Sequence, residues 1–276
     1  MKYRSPHCEM FPINYGQPVP WDKLEPGEEI YVVDFSFPAE DMKRLDSDYY
    51  LVWIDHHKTA IDAAEEAGFF PLGRRRVGTA ACQLTWDYVM NKPVPDGVRL
   101  LGEYDVWDHA DPLCLPFQYG FRFFENTLPD NQGLWAPFFE RNTAHLVDAV
   151  CQTGQTILTY EQRQNERFCR TYAFETKLLC TSPTEGTRWY SAICANRGHS
   201  NSKLFDAVYD AATHDLMITF CRSGRENKWL VSLYTTHAGI DCGAIARTFG
   251  GGGHRGAAGF QCVELPFEIL GGAACW

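Results

Sequence analysis

The 276-residue chain is short of positive charge: 25 Lys and Arg stand against 35 Asp and Glu, a formal net charge of −10 with a pI near 5.4. A chain this acidic cannot hold nucleic acid on a broad basic face, because attraction to the phosphate backbone needs clustered Lys and Arg. Any phosphate handling must come from local donors or a bound cation. No apolar run approaches the roughly 20 residues of a membrane span, so no membrane association is expected. The opening stretch MKYRSPHCEMFPINYGQ lacks the apolar core of a signal peptide. The 11 cysteines are scattered singly, without a C-x-x-C pair, which argues against a disulfide framework and a thiolate zinc site alike. The expectation is reduced thiols in a cytoplasmic protein, most of them filling core.

What is present reads as α/β. At roughly 150 residues per domain, this length suits two domains. Residues 30–34, Ile-Tyr-Val-Val-Asp, and 50–54, Tyr-Leu-Val-Trp-Ile, are strand-like. Between them, Pro38 followed by AEDMKRLD reads as a helix with Pro and acids in its first turn. Strand, helix, strand at this spacing predicts a βαβ unit and a parallel sheet. Helical patterns follow near 60–67, 79–91 and 96–104, and 111–140 has little period. The stretch 142–171, with no Pro, predicts one long helix or two, able to pair with a second copy in a homodimer. Beyond it, 188–195, 215–222, 228–234 and 258–263 read as strands, 200–210 and DCGAIARTF as helices. The expected organisation is a parallel-sheet domain over 1–140, a helical linker over 141–172 and a smaller α/β domain over 173–276.

Ligands of open α/β sheets sit outside the carboxyl ends of the strands, where Asp34 and the Asp55-His56-His57 triplet fall. Asp105, ending a helical stretch, could complete a shell. Carboxylate oxygen with imidazole nitrogen suits Mn²⁺, Mg²⁺ or Zn²⁺. A bland reading stands beside this: strand-end Asp residues often cap helices or turns, and a lone His is more often hydrogen-bonded than ligating. Adjacent strand residues point to opposite faces, so the triplet converges only if it lies in the turn beyond its strand. A second constellation is the run Gly250, Gly251, Gly252, Gly253, His254, Arg255. Consecutive glycines permit φ > 0 and expose N–H groups, as a phosphate-cradling nest requires, and His254 and Arg255 add side-chain donors. A flexible turn is the alternative.

With these motifs in hand, the chain resembles the DHH phosphoesterases, a family that includes RecJ-type exonucleases, nano-RNA-degrading enzymes, cyclic-dinucleotide phosphodiesterases and manganese-dependent pyrophosphatases. VVDFSFP (32–38), IDHHKTA (54–60) and EYDVWDH (103–109) are similar to three of its motifs, and FGGGGHRGAAGF (249–260) to its GGGH-bearing C-terminal domain. The resemblance implies that Asp34 bridges two metal ions, Mn²⁺ or Mg²⁺, that His56 and Asp105 ligate one of them, that His57 contacts the scissile phosphate and that Asp55 orients the histidines. It implies a substrate hold by Gly251, Gly252, Gly253, His254 and Arg255, with Asn196 and Arg222 on the same domain, and a cleft between the domains. The implied activity is hydrolysis of short single-stranded oligonucleotides, dinucleotides or another phosphoester, as by an exonuclease or oligoribonuclease. Polyphosphate or pyrophosphate hydrolysis and nucleotide binding without hydrolysis are the alternatives.

The family's first, Asp-rich motif has no counterpart in these 276 residues; Asp22 and His7, Cys8 and Glu9 are the nearest acids and donors, without a preceding strand. Its lack leaves three side-chain ligands, enough for one metal, and is expected to expose a strand edge. Trp53, Trp86, Trp107 and Trp189 sit in apolar contexts and are expected in the core. Arg74-Arg75-Arg76 reads as a solvated loop cluster.

Overall fold

The computed structural model describes residues 1, 4–14, 16–140, 143–182 and 186–267. The chain forms two compact units, Met1–Leu158 and Thr159–Trp276.

The first unit is built on three parallel strands in sequential order, β1 (Glu29–Val33), β2 (Tyr50–Asp55) and β3 (Leu72–Arg75). Helix α1 (Ala39–Asp48) starts after Pro38, carries Glu40 and Asp41 in its first turn and buries Met42 and Leu45. Strand β2 is buried from Leu51 to Asp55, as a central parallel strand covered on both faces should be. Its alternation divides two cores: Leu51 and Trp53 pack with Val32, Phe37, Met42 and Leu45. Val52 and Ile54 pack with Leu84, which belongs to α3 (Ala81–Met90) after α2 (Lys58–Glu66). Helices α4 (Asp96–Asp105), α5 (Cys114–Phe121), α6 (Gln132–Phe138) and the start of α7 (Ala144–Tyr172) share a third core around Leu100, Phe117, Phe121, Phe138 and Val150. The weak period over 111–140 has a cause: it holds two short helices, of eight and seven residues, each containing a proline. The long helix expected over 142–171 is α7, and the division between the units falls inside it.

Of the expected solvated loop cluster, Arg74 and Arg75 lie in β3 instead of a loop, while Arg74 and Arg76 are exposed as expected. Arg74 pairs with Asp87 at 2.6 Å. Arg75 donates to the carbonyls of Trp53 at 3.0 Å and Pro71 at 2.8 Å while its guanidinium lies over the Trp53 ring. The tryptophans divide: Trp53 and Trp86 are buried, whereas Trp107 and Trp189 are 56% and 59% exposed, against expectation.

In the second unit, six strands run in the order β4-β5-β6-β7-β9-β8, antiparallel except for the β5–β6 pair. They are β4 (Phe174–Ser182), β5 (Gly186–Asn196), β6 (Leu216–Ser223), β7 (Lys228–Tyr234), β8 (Gly252–Gly253) and β9 (Ala257–Cys262). Helix α8 (Cys242–Thr248) buries Cys242, Ile245 and Ala246 against Leu178, Ile218 and Leu233. The helix expected at 200–210 is only a 3-10 turn at Ser202–Phe205, anchored by buried Leu204 and Phe205. The ten cysteines among the described residues are all free, and no described helix is long and apolar enough to cross a membrane.

Gly73 is required by close approach. It has φ +119°, and a Cβ there would fall on the Trp53 carbonyl of β2. Gly73→Ala should lower the unfolding free energy by about 2–3 kcal/mol. Gly68→Ala, at φ +62° with open space around its Cβ, should lose about 1 kcal/mol. Urea midpoints at unchanged m-value measure both; equal losses would contradict this packing.

Candidate metal centre

The carboxyl end of the parallel sheet is shaped by two local devices. Asp34 follows β1 with φ +58°, a left-handed conformation that a short polar side chain tolerates better than most. Its N–H still bonds to the Ile54 carbonyl at 2.9 Å, so the sheet ladder holds the residue while its dihedral re-aims the chain. Asp55, the last residue of β2, is wholly buried. Its Oδ1 accepts from the backbone N–H of His56 at 2.7 Å, from that of His57 at 3.1 Å and lies 2.7 Å from His57 Nδ1. This tight turn places both imidazoles beyond the strand, their rings 4.5 Å apart, and His57 becomes the residue before α2.

His56 Nε2 then meets two carboxylates, Asp34 Oδ1 at 3.1 Å and Asp105 Oδ2 at 3.3 Å. One ring nitrogen carries at most one proton, so it cannot donate to both. Donor atoms each about 2.0–2.2 Å from a shared cation lie about 3.0–3.5 Å from one another, and each of the two contacts of His56 falls in that range. Burial first, and then the negative charge of Asp105, hold the Asp34 carboxyl above the usual range, with His56 and His57 pulling the other way. Asp105 also ends α4, where the helix dipole disfavours a carboxylate. A cation between them would relieve both repulsions, so this oxygen and nitrogen donor set fits a hard or borderline divalent ion. A wider grouping is also possible: Asp34, His56 and His57 can each offer an atom within 4.8 Å of the others. This is the group whose donor atoms are all mutually close; Asp105 reaches it through His56 alone, and His57 Nδ1, 3.9 Å from Asp34, is already engaged by Asp55.

Cys82, on α3, is a neighbour that sequence reasoning missed. One face of the residue is exposed, but its Sγ donates to the Val98 carbonyl at 3.7 Å. Desolvation, with the charges of Asp105 and Asp34, pushes the thiol up to about 12. No other group of three metal-binding side chains gathers among the described residues. Asp22 is exposed and pairs with Lys23, and His7, Cys8 and Glu9 line a cavity of about 570 Å³ along β1 with Met10 and Phe11. Neither joins the cluster, and β1 is an edge strand, as expected without the first motif.

In the second unit, the glycine run forms a packed hairpin. The N–H groups of Gly250 and Gly251 bond to Arg247 and Ala246 at the end of α8, and that of His254 bonds to Ala257. Gly252 and Gly253 pair with Gly259 and Ala258. A Cβ on Gly253, at φ +141°, would sit 2.6 Å from the Ala258 Cα. The amides of Gly250, Gly251 and His254 are therefore engaged in backbone bonds, and the glycines here allow two backbones to touch. His254 and Arg255 lie exposed at the tip. The Arg255 side chain donates to the Ala238 carbonyl, and its own carbonyl accepts from Cys242.

Asn196 and Arg222 are not gathered at that tip. Arg222 pairs across the sheet with Trp229, and Trp229 with Cys262. The GGGH turn adjoins Ala257, at the other end of β9, about 17 Å along the strand at 3.4 Å per residue. Arg222 instead bonds Asn227 at 2.7 Å and covers Trp229, a structural role. Asn196, exposed at the end of β5, is paired with Phe220.

No family model matches the chain. It is 26% identical over 269 residues to an uncharacterized protein of Acanthamoeba polyphaga mimivirus, covering 90% of this chain and 57% of that one. It is 24% identical over 271 residues to oligoribonuclease NrnB of Bacillus subtilis (strain 168), covering 88% and 61%. The chain thus spans about three-fifths of the length of the curated relatives it matches. Among solved structures, the DHH domain of a protein assigned to a ribosomal-protein family aligns over 84% of this chain and 65% of its own, at 13% identity and TM-score 0.46.

Asp55→Ala would strip the acceptor from three N–H groups, whereas Asp55→Asn keeps Oδ1. Charge-assisted bonds of this kind contribute about 1.5–3 kcal/mol each. Chemical denaturation should show Asp55→Ala less stable by about 3 kcal/mol or more and Asp55→Asn by clearly less. Equal losses would mean that the turn does not depend on that oxygen.

Proposed function

We propose that the chain is a DHH-type, metal-dependent phosphoesterase hydrolysing short oligonucleotides or dinucleotides to mononucleotides. The observation that carries this is the meeting of Asp34 and Asp105 on one nitrogen of His56. Likeness along nine-tenths of the chain to a protein named as an oligoribonuclease supports the substrate class.

Asp34, His56 and Asp105 would hold one Mn²⁺ or Mg²⁺. Three protein ligands leave coordination positions open, as catalytic metal sites do. Such an ion supplies Lewis acidity toward phosphoryl oxygens and makes water a competent nucleophile near neutral pH. The chain's own contribution is orientation. Asp55 takes the Nδ1 proton of His57 in a hydrogen bond and so fixes the ring and its tautomer. His57 Nε2 is then the atom through which this ring would contact the phosphoester, taking a proton from an attacking water and, once protonated, giving it to the leaving oxygen. His56, wedged between two carboxylates, keeps Asp34 and Asp105 at a common point. A net charge of −10 would repel a polyanion, so affinity has to arise at this centre and at side chains such as His254.

One observation favours the alternative of binding without hydrolysis: the described residues supply ligands for one metal and not for the pair that the resemblance implies. A labelled RNA dinucleotide incubated with the chain in Mn²⁺ separates the two. Mononucleotide release that EDTA abolishes and Asp34→Ala lowers at least a hundredfold is the expected result. No release from a folded sample that still binds the dinucleotide would establish the non-hydrolytic reading.

A further inference from the structure

Trp107 sits where the fold has no use for an indole. Helix α4 ends in a reciprocal pair of bonds, from the Trp107 N–H to the Tyr104 carbonyl at 3.1 Å and from the Asp108 N–H to the Glu103 carbonyl at 2.8 Å. This is a Schellman closure, in which the residue after the cap adopts the left-handed conformation and is usually glycine. Here that residue is Trp107, with φ +59°, a conformation that bulky side chains avoid. Its side chain gains little from the core in return, being 56% exposed.

The indole is nevertheless held. Its ring lies 4.6 Å from that of His109 and 5.8 Å from that of Tyr104. Tyr104 and His109 are themselves stacked at 5.7 Å, with an angle of 23°. Arg122 fixes the Tyr104 hydroxyl with a 3.0 Å bond and covers its ring. The result is a braced, solvent-facing aromatic platform. It stands two residues from Asp105, on the same helix end that delivers this carboxylate to His56.

We propose that Trp107 is the stacking platform for a nucleobase of the substrate and so selects nucleotidic phosphoesters over inorganic polyphosphate, which has no base. The inference rests on the phosphoesterase reading for the identity of the ligand. Stacking on an exposed, immobilised aromatic is indifferent to base sequence, which suits a site that reads short fragments of any composition. An apolar base covering the indole would also bury surface that the fold leaves in water.

The test is equilibrium binding of a 2-aminopurine-containing dinucleotide and of its abasic analogue, with Ca²⁺ in place of Mn²⁺. The full chain is compared with Trp107→Phe and Trp107→Gly. Stacking quenches 2-aminopurine, so the wild type should quench it and prefer the base-bearing ligand about tenfold or more, in line with single base–aromatic stacks. Trp107→Phe should keep most of both effects. Trp107→Gly, which suits the left-handed position, should match or exceed the wild-type urea midpoint yet lose the quenching and the preference. Retained quenching in Trp107→Gly, equal loss for both ligands, or a wild type that binds the two ligands alike would overturn the assignment. Quenching and preference in a chain that releases no mononucleotide in Mn²⁺ would leave the platform standing and refute the hydrolase reading alone.

Discussion

The site depends on one buried carboxylate oxygen. Asp55 Oδ1 gathers two backbone N–H groups and the His57 ring, and this turns the chain at the end of β2 within two residues. Without that turn, Asp55, His56 and His57 would follow the strand's alternation and point to opposite faces. With it, both imidazoles leave the sheet at the end where Asp34 and Asp105 also arrive. The acceptor is charged and buried, so its bonds are stronger than those of a neutral group and more disruptive to lose.

The surrounding fold makes this turn rigid. Strand β2 is buried on both faces between the Trp53 and Ile54 cores. Arg75 and Gly73 fasten β3 onto the Trp53 carbonyl, and Trp53 Nε1 donates to the Phe35 carbonyl just beyond Asp34. The two strand ends carrying Asp34 and Asp55 are therefore tied by the sheet ladder and by a tryptophan beneath them. On this base sit two mutually repelling carboxylates and a histidine unable to donate to both. Such an arrangement is electrostatically incomplete, and the proposed cation would complete it.

Much of this is legible in the sequence. The βαβ unit, the strand-end acids, four of the six strands of the second unit (all but β4 and β8) and the long helix all carry local signals: β-branched runs, a proline-led helix start, an uninterrupted 29-residue helix. Asp34, His56 and His57 can be named because their residue types and strand-end positions state a chemistry, and Asp105 because it ends a helical stretch as a further acid. Other features depend on tertiary contacts. Strand β3 has the sequence LGRR, which looks polar, and it pairs because Arg75 finds the Trp53 carbonyl. The glycine run reads as an anion nest when its amides are counted alone, and the α8 carbonyls that accept from Gly250 and Gly251 appear only in three dimensions. Trp107 looks like core because it is a large aromatic beside Val106, and its exposure follows from a backbone angle that sequence does not display. Arg222 and the GGGH turn share a sheet but lie toward opposite ends of their strands, a matter of register.

The central claim is that Asp34, His56 and Asp105 converge to bind one divalent cation. Crystals of the chain grown with Mn²⁺ and measured at a wavelength where manganese scatters anomalously test it most directly. The account predicts one strong anomalous peak in contact with Asp34 Oδ1, His56 Nε2 and Asp105 Oδ2. The absence of a peak at that point at millimolar Mn²⁺, or a peak coordinated by other residues, would contradict it.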